Sequence, residues 1–141
     1  MTNIIQCSIV SLHETLFSGL VRYIVLTGEY GELGVHAGHA PLLTTLPPGP
    51  ARLMKESGEE EVLFLSGGFL EVQPDQVIVL ADVAVRASQL DEEAALEAKL
   101  HAEKVLGDTA SDIDHSKAMK ELNDALARLK AIQALKVIHR T

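Results

Sequence analysis

Val77-Ile78-Val79-Leu80-Ala81-Asp82-Val83-Ala84-Val85-Arg86 runs straight into Ala87-Ser88-Gln89-Leu90-Asp91-Glu92-Glu93-Ala94-Ala95, and the chain changes its structural language at that join. Valine and isoleucine in the first run suit a pleated, packed surface. Alanine and glutamate behind a serine in the second favour helix. Working outward, all five prolines and nine of the ten glycines fall in residues 1–86. The last 55 residues hold Gly107 as their only glycine, no proline and eleven alanines. Glycine and proline punctuate short strands, and alanine-rich stretches without them run on as helix. Residues 1–86 are therefore expected to form a β module and residues 87–141 a helical arm.

In the first part, residues 4–10, 21–27, 51–55, 62–66, 69–73 and 77–80 are short runs rich in Val, Ile and Leu. Turn-forming clusters at 28–34, 47–50, 56–61 and 74–76 separate them. Short strands at close spacing, with no helical pattern between them, predict a β-sandwich or flattened barrel. Gly67 and Gly68 predict a bulge or a tight crossing, because glycine inside a strand otherwise weakens it.

The second part reads as an antiparallel helical hairpin over residues 89–106 and 112–138. Ser88 with Asp91, and Ser111 with Asp114, have the spacing of capping boxes. Leu106 and Gly107 close the first helix. Ala95, Ala98, Ala102 and Val105 recur at helical steps on the first helix, as do Met119, Leu122, Leu126, Leu129 and Ile132 on the second. An alanine seam gives up about 2 kcal/mol per position against leucine, at about 0.8 kcal/mol per methylene. The hairpin is therefore expected to be weakly held and able to open.

Composition excludes several function classes. A net charge of −8 and 4% aromatic residues leave little to attract a phosphate backbone or stack a base, so no nucleic-acid partner is expected. No run approaches about 18 apolar residues, and the N-terminus lacks a basic-then-apolar leader, so the chain is expected to stay where it is made. Cys7 is a lone cysteine on an alternating run, expected to be a small buried apolar residue in a reducing compartment.

Little catalytic chemistry is signalled. His36 and His39 stand near Glu29 and Glu32, but the glycine-broken segment 31–39 reads as neither helix nor strand, and no second ligand pair follows, so no metal site is expected. Ser66 lacks the upstream glycine of a nucleophile elbow. Gly31, Gly34 and Gly38 do not have dinucleotide-fingerprint spacing, and no P-loop lysine follows them. Glu59, Glu60 and Glu61 read as a solvated hairpin tip.

Two longer runs carry the reading further. Gly31-Glu32-Leu33-Gly34-Val35-His36-Ala37-Gly38-His39-Ala40-Pro41-Leu42-Leu43-Thr44 and Ser66-Gly67-Gly68-Phe69-Leu70-Glu71-Val72-Gln73-Pro74 closely resemble signature segments of the epsilon-subunit family of bacterial F-type ATP synthases. The resemblance continues through Val79-Leu80-Ala81-Asp82 and Leu90-Asp91-Glu92, and covers the whole chain in order. It implies a non-catalytic rotor subunit without a cofactor. The sandwich would bind the gamma subunit and the membrane c-ring, coupling proton-driven rotation to ATP synthesis. The arm would lie folded, or rise along gamma into the alpha and beta catalytic subunits and inhibit ATP hydrolysis. By carry-over, Glu32 lies near the ring and His39 toward gamma, with Glu29 and His36 beside them in the interface. Lys117, Lys120, Arg128, Lys130, Lys136 and Arg140 are candidates to meet acidic catalytic surfaces, their alternative role being a solvated face with local ion pairs.

Some members of that family bind ATP on the hairpin. This chain keeps Asp91 and Arg128, but has Ala94 and Asp124 where those members carry arginines. A carboxylate in place of a guanidinium reverses the sign of a phosphate contact, so weak or absent ATP binding is expected. The rival readings are an ATP-level sensor and a small enzyme built on His36 and His39. The resemblance also implies a peripheral position on the cytoplasmic face of a bacterial inner membrane, reached only through the complex.

Overall fold

Alternation of inward and outward side chains marks most of the strands. On β1 (Ile5–Val10), Ile5, Cys7 and Ile9 point inward and Gln6 outward. The computed structural model describes residues 3–107 and 112–139, the side chains of 112–114 and 139 excepted. Among these residues the strands that follow are β2 (Thr15–Gly28), β3 (Gly31–Val35), β4 (Leu42–Leu46), β5 (Gly49–Lys55), β6 (Glu60–Leu65), β7 (Gly68–Val72), β8 (Gln76–Ala81) and β9 (Ala84–Arg86). A 3-10 turn (Ala87–Gln89) leads to α1 (Glu92–Gly107) and α2 (Asp112–His139).

The 14-residue β2 makes the sandwich. Its first half pairs with β1, which continues through β8 and β7 to β4, and its second half lies between β3 and β5, which continues to β6 and β9. A register shift between Val21 and Tyr23 marks the crossing from one sheet to the other. Side chains such as Ile9, Val21, Ile24, Leu53, Leu63, Leu70 and Val79 fill the space between. Each such buried aliphatic contributes about 1.5–3 kcal/mol.

Three strands, β3, β4 and β9, and the first half of β2 lie outside the expected runs. The segment expected to be irregular, 31–39, contains β3. Its glycines are tolerated because β3 pairs with β2 alone, and a Cβ at Gly34 would meet nothing within 4 Å. The long turn expected at 28–34 is therefore only Glu29-Tyr30. β4 and β9 are short edge strands, too brief for their alternation to stand out. The expected tight crossing at Gly67-Gly68 is present: both take positive φ, and a Cβ on Gly68 would run into the Leu80 carbonyl oxygen. Glu60 and Glu61, expected on a solvated tip, lie in β6. Tyr23 donates to Glu60 at 3.2 Å, and Glu61 bridges Lys55 and Arg86, each at 3.1 Å.

α1 is capped by Asp91 rather than by Ser88, because Leu90 is extended (φ −80°, ψ 142°) and separates the 3-10 turn from the helix. Asp91 Oδ1 accepts from the Ala94 amide at 3.1 Å and caps it. The Ser111 with Asp114 cap lies outside the described residues. The seam also differs from expectation. On α2 the buried residues include Ala118, Ala125 and Ile132, seven apart, with Leu122 and Leu129 half-buried between them. On α1 they are Ala95 and Ala102, while Ala98 and Met119 are exposed. Ala118 and Ala125 thus alternate with Leu122, Leu129 and Ile132 of the expected row, and alanine on both helices lets them approach closely.

α2 turns a second face to the β module. Ala127 and Ala131, flanked by Ala134, Leu135 and Ile138, pack on Val62 and Phe64 of β6 and on Ala87. This explains why β6 is buried on both faces over residues 62–65, with Leu63 and Leu65 turned into the sandwich. The arm's main strand contacts are with β5 and β6, while the first half of α2 runs beside Leu46, Gly67 and Gly68 at the edge of the β4–β7–β8–β1 sheet. On the outer face of that sheet Phe69 and Leu80 remain exposed.

Candidate functional site

The β2–β3 hairpin carries the four expected interface residues, at its two ends. Glu29 and a fully exposed Tyr30 form the two-residue turn. Thr45 of β4 donates to Glu29 at 3.2 Å, steadying the turn against the neighbouring strand. Glu32, opposite Thr27, faces Arg52 of β5 at 3.7 Å. These acids and the aromatic ring lie beside the half-buried Leu42 and Thr44 and make an exposed, mainly acidic tip.

His36 and His39 lie past the far end of β3. The His36 ring is tilted against Tyr23, with centroids 5.8 Å apart. The Tyr23 hydroxyl is held above its ordinary range, first by loss of solvent and then by the Glu60 carboxylate beside it. His39 Nδ1 donates to the Ala40 carbonyl at 2.7 Å, and the His39 amide to the His36 carbonyl at 3.2 Å. The length of β3 thus separates the two histidines from the two glutamates. Among the described residues no three His, Cys, Asp or Glu side chains gather as metal ligands. Ser66 Oγ accepts from the Val83 amide at 2.9 Å, a loop-fixing contact.

A further surface went unnoticed in the sequence. On the outer face of the β4–β7–β8–β1 sheet, Phe69 lies opposite Leu80, Leu80 opposite Val10, and Leu43 diagonal to Phe69. Leu43 is 74% exposed, Phe69 55% and Leu80 51%. Together they form a candidate interaction surface. The signal was available: in Phe69-Leu70-Glu71-Val72, burial of Leu70 and Val72 turns Phe69 into the polar phase.

The basic residues of the arm divide into two groups. Lys117, Lys120 and Lys130 are exposed, and Arg140 lies outside the described residues. Arg128 is bound to Asp124 at 2.9 Å and stacks on the Phe64 ring, and Lys136 pairs with Glu92 at 2.9 Å. Asp91, the other nucleotide candidate, is occupied as a helix cap. The groove between the helices, lined by Ala94, Glu97, His101, Lys120, Glu121 and Asp124, presents three carboxylates. That sign opposes a triphosphate.

Residues 4–87 match the ATP synthase delta/epsilon chain β-sandwich domain, and residues 88–133 the long α-helix domain of the same chains. The chain belongs to the ATP synthase delta/epsilon family. An ATP synthase epsilon chain of Chromohalobacter salexigens is 54% identical over 131 residues, covering 93% of each chain. Solved structures share the fold. A chain of the Euglena gracilis mitochondrial ATP synthase matches with a TM-score of 0.79 at 21% identity, covering 99% of this chain and 83% of that one. A chain of the Tetrahymena thermophila mitochondrial ATP synthase central stalk and c-ring matches at 0.61 with 15% identity, covering 91% and 96%. As a delta/epsilon-family epsilon subunit of the F-type ATP synthase, the chain is a non-catalytic part of the complex. No helix among the described residues is long and apolar enough to cross a membrane.

Proposed function

We propose that the β-sandwich is a foot that grips the gamma subunit and stands on the membrane c-ring, coupling proton-driven rotation to ATP synthesis, while α1 and α2 act as a detachable brake on ATP hydrolysis. The observation that carries this reading is the separation of two surfaces. The exposed apolar ladder of Leu43, Phe69 and Leu80 lies on one sheet, and the arm is docked on the other. A partner can therefore hold the first without meeting the second, and the arm can leave without loosening the grip. The names of the Euglena and Tetrahymena assemblies, which include a c-ring, agree with this placement.

In this reading the acidic tip at Glu29 and Glu32 faces the ring, and His36 and His39 lie toward gamma. The exposed Lys117, Lys120 and Lys130 meet the alpha and beta subunits when the arm is raised. The complex then places the chain on the cytoplasmic face of a bacterial inner membrane. Carboxylates line the interhelical groove and Arg128 is already paired, which disfavours nucleotide binding on the hairpin.

Co-purification of the tagged full chain with a gamma subunit tests the grip, and ATP hydrolysis by the purified complex tests the brake. Removing residues 88–141 should leave assembly intact and raise hydrolysis. A properly folded chain that does not associate with gamma overturns the grip, and unchanged hydrolysis overturns the brake.

A further inference from the structure

Among the described residues of α2, Arg128 stacks on an aromatic ring of the β module. The guanidinium carbon lies 4.4 Å from the centroid of Phe64, a side chain of β6 that is completely buried. Ala127 and Ala131 on either side are also buried against this strand, and only a small residue there brings the helix backbone close enough for the flat guanidinium to reach the ring. Asp124, one turn earlier, holds Arg128 Nε at 2.9 Å and fixes the plane of the group. A cation over an aromatic face is attracted by the ring quadrupole, and the attraction strengthens when water is partly excluded. α1 has no comparable hold on the β module: its extensive contacts are all with α2.

We propose that Arg128, held in place by Asp124, is the latch pin that fastens the folded arm to the foot through Phe64. Arm release then requires this stack to break, and α1 follows because it is attached through α2. The inference concerns the isolated, folded chain, so it stands or falls independently of whether the arm brakes hydrolysis.

Hydrogen exchange of the full chain tests it. In Arg128→Ala, the amides of residues 127–135 should exchange about tenfold faster while β1 and β8 remain unchanged. Alanine is the better helix former, so a residue serving only the helix itself would give slower exchange instead. Phe64→Leu, which keeps an aliphatic filling but removes the ring, should give a similar rise, and the double variant little more than either single one. Asp124→Asn should give a smaller rise in the same segment. Unchanged exchange in Arg128→Ala, or effects of the two substitutions that simply multiply, would overturn the latch. Should Phe64→Leu disturb the foot, Arg128→Lys decides alone: it keeps the charge but loses the planar stack, and exchange at the parent rate would count against the proposal.

Discussion

Lys136 Nζ donates to both carboxylate oxygens of Glu92, at 3.0 and 2.9 Å, and so ties the C-terminal part of α2 to the first turn of α1. Both side chains are about half exposed, so solvent screens most of their attraction. We expect Lys136→Gln to lower stability by under about 1 kcal/mol. The loss should vanish near 1 M salt, where the Debye length falls to about 3 Å. Urea unfolding at low and high salt checks this. A loss above about 2 kcal/mol that persists in salt would mean that the pair anchors the arm by itself.

Gly68→Ala should cost about 3 kcal/mol or more, because the backbone there has φ +155° and the added methyl has nowhere to go but into the Leu80 carbonyl. The neighbouring atom is backbone, paired in the β7–β8 ladder, and cannot rotate aside. Gly34→Ala is the matched control, since its Cβ meets open space. The urea midpoint should drop sharply for the first and little for the second. Equal midpoints would contradict the close crossing of β7 and β8.

Burial pushes the Cys7 thiol up to about 12. In the unfolded chain the same thiol titrates near about 8.5. Between those values the unfolded state loses a proton that the folded state keeps. Stability is therefore fully present below about pH 8.5 and falls by about 1.4 kcal/mol per pH unit as the pH climbs toward 12. Cys7→Ala should flatten this alkaline slope, at some cost in packing at neutral pH. Thermal melts from pH 8 to 11 read it out, and a slope unchanged in Cys7→Ala would assign the alkaline loss to other groups.

The division into strands and helices was legible because glycine and proline stop at the join, and local chemistry there is unopposed by packing. The reach of β2 was not. Its first half, Thr15 to Leu20, carries Ser18 and Gly19 and lies outside the expected runs, yet its pairing with β1 makes it a strand. The seam of the hairpin was legible only in part, for a related reason: Leu122, Leu129, Ile132, Ala95 and Ala102 lie in it, but Ala118 and Ala125 were not expected there. Leucine spacing identifies an apolar stripe, but the closeness of two helices depends on where both place alanine. Glu29, Glu32, His36 and His39 stand out as polar residues in a glycine-rich segment, and only the resemblance assigns them to an interface. Phe69 and Leu80 also lie within the resembling runs, but their exposure emerges only once strand pairing assigns their face. Phe64 was invisible for the opposite reason. A strand covered on both sides has no alternation to read.

Phe69→Thr with Leu80→Thr should weaken association with a gamma subunit by about 100-fold or more, since two apolar side chains worth about 1.5–3 kcal/mol each would no longer be buried at the contact. The fold should persist. Both side chains already face solvent, and threonine suits a strand. Val137→Thr, an equally exposed change on α2, is the control that should leave association untouched. Titration of labelled gamma against each variant separates the outcomes. Undiminished binding by the double variant would move the grip away from the β7–β8 face, and a loss with Val137→Thr would shift it onto the arm. Only binding lost on the sheet and kept on the arm leaves α2 free to rise while the foot stays attached.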